Sequence, residues 1–349
     1  MNLNNRKQAF VNLGKFLQKY TAENPDFTSE EEIQADLLDQ AISTAIIHNK
    51  WFTKEDIFYN LKHWSKSLTS EKLNSWLASY NFKEENPKTV AIIMAGNVPL
   101  VGFHDFLSVL ISGHKVLAKQ SSKDQHLLPF IAKFLIDENK EFQDKIAFTE
   151  EKLTNFDAVI ATGSNNTARY FEYYFSKKPN IIRRNRNSIA VLTGEEKPEE
   201  LKALAEDIFR FYGLGCRNVS KIFVPKNYDF DKFFKAIYDW NPIINSHKYA
   251  NNYDYNKAVY LMSEFKILDN GFLILKEDAA YASPIACLFY EFYEDIKDLK
   301  EKLKTDKDQI QCVVSNLKEV GEVNFGKTQH PNLEDYADGI NTLEFLIKI

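Results

Sequence analysis

Three cysteines occur in the 349-residue chain, and one of them, Cys216, directly follows Gly213-Leu214-Gly215 and precedes the apolar run Ile222-Phe223-Val224. A thiolate is a far better nucleophile than a hydroxyl near neutral pH, and glycines on its N-terminal side let a carbonyl substrate and backbone donors come close to the sulfur. Cys287 and Cys312 lie inside the apolar runs IACLFYE and IQCVVS, where a thiol behaves as a small core hydrophobe. Cys216 is equally a residue type tolerated in a helix-to-strand turn, so its position alone leaves nucleophile and turn residue both open.

Three further strand ends carry polar residues. In MAGNVPLVGFHDF a buried-looking strand ends at Gly96-Asn97, where the amide is either a turn residue or a hydrogen-bond donor to substrate. In KVLAKQSSKD the strand ends at Lys119, and Ser121, Ser122 and Lys123 precede a helix, a setting suited to phosphate or ribose hydroxyls; Asp124, the first acid, is expected inside that helix. In AVIATGSNNTARYFEYYF a strand, Thr162-Gly163-Ser164 and a helix follow without extra loop, so backbone N–H groups at the helix start are ready anion donors. The same segment reads as a Ser-capped helix, and it is not a GxGxxG fingerprint. His247, in NPIINSHKYANNYDY, is read as a loop histidine rather than an acid/base.

Placing these residues requires an α/β framework. The first 85 or so residues read as helical, because Phe10, Leu13, Phe16, Leu17 and Tyr20 recur on one face and the capping boxes Ser29-x-x-Glu32 and Thr53-x-x-Asp56 follow. From Thr89 short apolar runs (TVAIIMAG, KVLAK, AVIAT, NSIAVL, SKIFVP) alternate with helical stretches such as LLPFIAKFLIDENK and PEELKALAEDIFRFYG. That alternation predicts a mostly parallel sheet. GFLILK, SPIACLFYEFYE, a charged helix around DIKDLKEKLKTDKD and QIQCVVS continue the pattern, and the terminal NTLEFLIKI alternates as a strand does.

Composition narrows the function classes. A formal net charge of -5 gives no electrostatic footprint for nucleic acid, and the basic run Arg183-Arg184-Asn185-Arg186 fits a solvated patch. No apolar run approaches a membrane span, no leader-like segment opens the chain, and an odd number of cysteines without a CxxC pair fits a reducing compartment; a cytoplasmic protein is expected. No metal site is expected.

The ordered set Asn97, Lys119, Thr162-Gly163-Ser164 and Cys216 resembles the aldehyde dehydrogenase superfamily. Within it, GNVPL, KQSS, ATGS, NSIAVL, GLGCRNVSKIFVP and the DYADGI-TLEFL ending resemble the long-chain acyl-CoA reductases, the fatty-acid reductases of bacterial bioluminescence, over about residues 89–349. The resemblance implies an aldehyde-dehydrogenase-like fold: a helical preface and Rossmann-like cofactor domain over residues 1–190, an α/β catalytic domain over 191–320, and a C-terminal return over 321–349 with an oligomerisation strand. It implies Cys216 as the nucleophile, Asn97 lining the oxyanion hole, Lys119 at the adenosine ribose and the Thr162-Gly163-Ser164 turn near the cofactor pyrophosphate.

The implied activity is reduction of an acyl-CoA to the aldehyde by NADPH, with NADH possible. Where hydrolytic relatives carry a Glu-Leu-Gly-Gly-Lys segment whose Glu activates water, this chain reads Arg183-Arg184-Asn185-Arg186-Asn187, which disfavours release of a free acid. The family's ribose-binding Glu falls near Asp278-Ala279. A homo-oligomer is expected, with an acyl-transferring partner protein possible. The alternatives are an aldehyde dehydrogenase working toward oxidation, a non-catalytic acyl-binding subunit of a reductase complex, and a regulatory protein that retains only the fold.

Overall fold

The computed structural model describes residues 1–82 and 86–349. Its contacts divide the chain into two compact units, one of residues 1–184 with 332–349 and one of residues 185–331.

The first unit opens with four helices, α1 (Leu3–Tyr20), α2 (Ser29–His48), α3 (Lys54–Ser67) and α4 (Ser70–Leu77). Each starts where the sequence supplies an N-cap. Thr53 accepts from Asp56 N–H at α3 as its capping box predicts, but the box at α2 is Thr28 with Glu31, one residue ahead of the expected Ser29–Glu32 pair. Thr28 holds the extended backbone an N-cap needs, while Ser29 is already the first helical residue.

A five-stranded, wholly parallel sheet follows, built from β1 (Thr89–Ile93), β2 (Lys115–Lys119), β3 (Ile146–Phe148), β4 (Ala158–Thr162) and β5 (Asn180–Arg183) in the order β3-β2-β1-β4-β5. The helices α5 (Phe103–Ile111), α6 (Leu127–Glu138) and α7 (Asn165–Phe175) connect the strands. Alternation along the strands separates two buried faces. Val90 and Ile92 join the large core that includes Phe10, Leu13 and Phe106, whereas Ala91, Val159 and Ala161 face the rings of Phe171 and Phe175 on α7.

The C-terminal segment differs from its expected form. Residues Thr342–Lys348 are helix α12, not a strand, so no terminal strand is there to build an oligomer. Asn341 caps the helix by accepting from Glu344 N–H at 2.9 Å. The sequence LEFLIKI satisfies a period of two and a helical period at once, and burial of Leu343 and Leu346, three apart, on one face decides for the helix. Arg183, read as part of a solvated basic patch, is buried instead: it donates to both carboxylate oxygens of Asp105 on α5 and to Thr342 Oγ1. A charge out of water needs such pairing, and this pair ties β5 to α5 and α12.

The second unit carries β6 (Asn187–Val191), α8 (Pro198–Phe209), β7 (Val219–Pro225), α9 (Phe230–Ala236), α10 (His247–Met262), β8 (Ile267–Asp269), β9 (Ile274–Glu277), β10 (Cys287–Tyr293), α11 (Ile296–Thr305) and β11 (Ile310–Val314). Its six strands run β11-β6-β7-β10-β9-β8, parallel except for the β8–β9 pair. Ile189, Val191, Phe223 and Val313 pack with Leu299 and Leu303 of α11. His247, expected in a loop, is the exposed first residue of α10. No helix among the described residues is long and apolar enough to cross a membrane.

Candidate active site

The order β3-β2-β1-β4-β5 reverses direction at β1: the chain steps outward to β2 and β3, then returns to the other side for β4 and β5. In such sheets ligands bind outside the carboxyl ends of the strands at that reversal. Asn97 follows the end of β1, Lys119 ends β2, Ser121, Ser122 and Lys123 follow it, and Thr162 ends β4 with Gly163 and Ser164 next. Ile93 pairs with Lys119 on one side and with Ala161 on the other. The topology therefore brings eight of the nine residues singled out from the sequence to one sheet edge.

The loop after β1 is held from three directions. Asn49, buried at the end of α2, donates through Nδ2 to Gly96 O at 3.3 Å and Lys123 O at 3.2 Å, bridging the loops after β1 and β2. Asn60 of α3 donates to Pro99 O. Asp124 Oδ2 accepts from Leu100 N–H at 2.8 Å, and Leu100 stands at φ 56, a conformation costly for a residue with a branched side chain. Gly96 is required by the approach of the two loops, since a Cβ there would lie 2.6 Å from Ser121 Oγ.

Asp124 lies in the loop ahead of α6, not inside that helix as expected, and its carboxylate points into the protein toward Leu100. Burial lifts its carboxyl from 3.8 to about 7, the Leu100 N–H pulling only partly the other way. With the folded value above the unfolded one, the folded protein keeps a proton that the unfolded chain releases between about pH 4 and 7. Stability from this group is thus greatest below pH 4 and falls as pH rises through 7. Asp124→Asn is expected to raise the melting temperature at pH 8 by an amount that shrinks toward pH 4, on the order of a few kcal/mol at most; a shift that does not change with pH, read by calorimetry, would contradict this.

Around the cofactor-type residues, Lys119 Nζ donates to Glu151 O at 2.8 Å, and Lys123 N–H donates to Ser121 Oγ at 3.3 Å. Ser164 caps α7, its Oγ accepting from Thr167 N–H at 3.2 Å, so the capping function expected of it is present beside the run of helix N-terminal N–H groups.

In the second unit Cys216 lies between a short 3-10 turn, Arg210–Gly213, and β7. Phe211, Tyr212 and Gly213 stand in succession at φ 55, 57 and 73. Two non-glycine residues in the left-handed region cost roughly 1–3 kcal/mol each, and such strain persists only where the surroundings over-determine it. Asn218 does so here: fully engaged and buried, it accepts from Gly215 N–H at 2.8 Å and donates to Asp207 O at 3.0 Å and Arg210 O at 2.8 Å, stitching the turn to the end of α8. Ser188 Oγ donates to Cys216 O at 3.0 Å.

Asp207, also buried, accepts from Gly326 N–H, Thr328 N–H and Thr328 Oγ1 between 2.6 and 3.0 Å, fixing the 326–328 segment on α8; burial raises its carboxyl to about 6. Of the three thiols, Cys216 is exposed, while burial pushes Cys287 up to about 12 and Cys312 up to about 11.

The 183–187 run offers no carboxylate, and its arginines are occupied, Arg184 by Glu172 and Arg186 by the carbonyls of Lys307 and Ile310. Asp278, at the place of the family's ribose-binding acid, is held by Lys276 and by Ala280 N–H at 2.9 Å. Sequence reasoning missed Asn49, Asn60, Asp124, Ser188 and Asn218. Only Asn218, two residues after Cys216, had a signal near a motif.

Solved structures share this architecture. An aldehyde dehydrogenase from Physcomitrella patens, in complex with succinate, superposes with a TM-score of 0.70 at 12% identity, covering 100% of this chain and 84% of that one. An indole-3-acetaldehyde dehydrogenase of P. syringae with bound NAD+ gives 0.64 at 13% identity over 92% and 74%, and an NAD+ complex of an aldehyde dehydrogenase from Bacillus cereus gives 0.63 at 12% over 91% and 73%. The fold is that of the aldehyde dehydrogenases. A search of curated proteins finds no match. Residues 13–237 match the family described as Acyl-CoA reductase (LuxC), and the chain belongs to that family of oxidoreductases.

Proposed function

We propose that this protein reduces an acyl-CoA thioester to the aldehyde with a reduced nicotinamide, NADPH at least as well as NADH, through an acyl-cysteine on Cys216. The observation that carries the reading is the exposure of Cys216 in a strained, Asn218-clamped turn while the other two thiols are buried. The Cys216 thiolate attacks the thioester carbonyl carbon. The Asn97 side-chain amide and the Cys216 N–H donate to the oxyanion. The carbon–sulfur bond to coenzyme A breaks, its sulfur leaves with the electron pair and takes a proton, and the acyl group stays on Cys216. A nicotinamide bound at the β1/β4 reversal supplies the hydride that converts this acyl-cysteine to a thiohemiacetal. Collapse of the thiohemiacetal expels the Cys216 thiolate and releases aldehyde.

The cofactor fits the residues present at the sheet edge. Lys119 and the hydroxyls of Ser121 and Ser122 suit the adenosine ribose, the Thr162-Gly163-Ser164 turn and the α7 N-terminus suit the pyrophosphate, and Gly163 leaves room for backbone approach, since a Cβ there would lie 3.0 Å from Thr167 Cβ. Discrimination against a 2′-phosphate ordinarily comes from an acid after this strand. The first acid, Asp124, is buried and turned to Leu100, which leaves Lys119 and Lys123 as the charged groups of the segment. NADPH is therefore expected to serve at least as well as NADH, and Lys119→Ala to raise the KM for NADPH. Steady-state rates with both cofactors test this; a strong NADH preference, or an unchanged KM in Lys119→Ala, would defeat it.

Running toward oxidation to a free acid would need an activated water. The occupied arginines of the 183–187 run argue against it, and an acyl-CoA panel followed for both aldehyde and acid separates the two directions. The acyl donor, an acyl-transferring partner protein and a homo-oligomeric state belong to the same reading of the family and are tested by the same preparation.

A further inference from the structure

We infer that Asp124 is a positioning residue for Asn97, acting with Asn49 and Asn60 to fix the Asn97–Leu100 loop so that the amide stands ready at the oxyanion. The inference deepens the acyl-CoA reading and rests on it.

The loop cannot hold itself. Gly96, Asn97, Val98, Pro99 and Leu100 lie outside helix and strand, Pro99 has no N–H to give, and Leu100 is forced to φ 56. Each of the three contacts comes from a different element and grips a different residue: Asn49 the carbonyl of Gly96, Asn60 the carbonyl of Pro99, and Asp124 the N–H of Leu100. Asn97 lies between the first and the other two. An oxyanion donor works only if its geometry is set before charge develops, because reorganising it in the transition state would cost the energy it contributes.

Asp124 is an expensive residue for structure alone. It is 8% exposed, its Oδ1 is buried with no hydrogen-bond partner among the described residues, and it receives one backbone hydrogen bond. A buried, half-satisfied carboxylate is unfavourable unless its single contact matters, and an apolar residue would pack at lower cost. The residue it grips is three positions from Asn97 and strained, which is where a fixed partner is needed.

The test uses the full chain and two readouts. Hydrogen exchange is followed at residues 97–101 in the wild type, Asp124→Ala, Asp124→Asn and Asn60→Ala, together with steady-state reduction of an acyl-CoA that the wild type accepts. Asp124→Ala is expected to lose protection at the Leu100 amide and to lower kcat by roughly 10-fold or more with KM for acyl-CoA and NADPH within about two-fold, the pattern of an interaction made in the transition state. Asp124→Asn, which keeps an acceptor oxygen, should recover most of both. Asn60→Ala should act in the same direction, and Asp124→Ala should add little to Asn97→Ala. Unchanged exchange at Leu100, or kcat and KM that change together in proportion to lost thermal stability, would overturn the inference. A wild type inactive on every acyl-CoA would instead sink the acyl-CoA reading, and the exchange comparison then decides by itself whether Asp124 holds the loop.

Discussion

Replacing Cys216 by Ala is expected to abolish both acyl transfer and aldehyde formation while leaving the fold intact. Intact mass of the wild type after mixing with acyl-CoA, without reduced nicotinamide, should rise by one acyl group, and Cys216→Ala should show none. The other two thiols are poor competitors: Cys287 and Cys312 are buried on β10 and β11, and burial holds both protonated far above neutral pH, so neither offers thiolate to a substrate. Removal of a covalent nucleophile costs on the order of 10⁶ in turnover where it has been measured cleanly, and a loss of at least about 10³ is expected here. The side chain of Cys216 is exposed and the turn is held through its neighbours, by Asn218 on Gly215 and by Ser188 on the Cys216 carbonyl, contacts that an alanine preserves. The melting temperature should therefore change little. An adduct that persists in the variant, or activity within ten-fold of wild type, would show that the chemistry lies elsewhere and would favour a non-catalytic acyl-binding subunit.

How far the sequence discloses this site follows from what each residue depends on. Runs such as TVAII, KVLAK and AVIAT announce buried parallel strands because both faces of the sheet are covered, and the polar residue that ends each run is then placed by topology alone. The short strands β3 and β8 give no such run; β3 leaves Ala147 and Phe148 exposed at the sheet edge, so the periodic signal is too brief to rise above its surroundings. The helix at Thr342–Lys348 was hidden by a sequence that satisfies both periods, and only the buried Arg183–Thr342 contact and the Asn341 cap, set by tertiary structure, separate them. The same reasoning explains the residues around Asn97. Asn49, Asn60 and Asp124 reach the loop from 24 to 47 positions away in the chain, and as single polar side chains in ordinary helical or loop sequence they carry no pattern until the fold brings them there. Local spacing can nominate the residue that meets the substrate, whereas the residues that hold it in place are specified only in three dimensions.

Asn97→Ala is expected to reduce kcat far more than it weakens binding. The carbonyl oxygen of a bound thioester carries only partial charge, and the full charge develops as the Cys216 sulfur attacks, so an amide donor at that oxygen contributes chiefly to the transition state. Loss of one such donor costs roughly 2.7–4 kcal/mol, or about 10²–10³ in kcat, with KM for the acyl-CoA nearly unchanged. The remaining donor, the Cys216 N–H, leaves a measurable rate. Two effects bound the expectation. Asn97 is half-buried in a loop whose backbone is secured by Asn49, Asn60 and Asp124 rather than by its own side chain, so truncation should not unfold the loop. The acyl adduct on Cys216 should still form, only more slowly, which distinguishes a weakened oxyanion site from a lost nucleophile. Rapid-mixing measurement of adduct formation, set beside steady-state turnover, reads both quantities: a slowed first step with unaltered saturation supports the role, and turnover within a few-fold of wild type in a folded Asn97→Ala protein would make Asn97 a turn residue and nothing more.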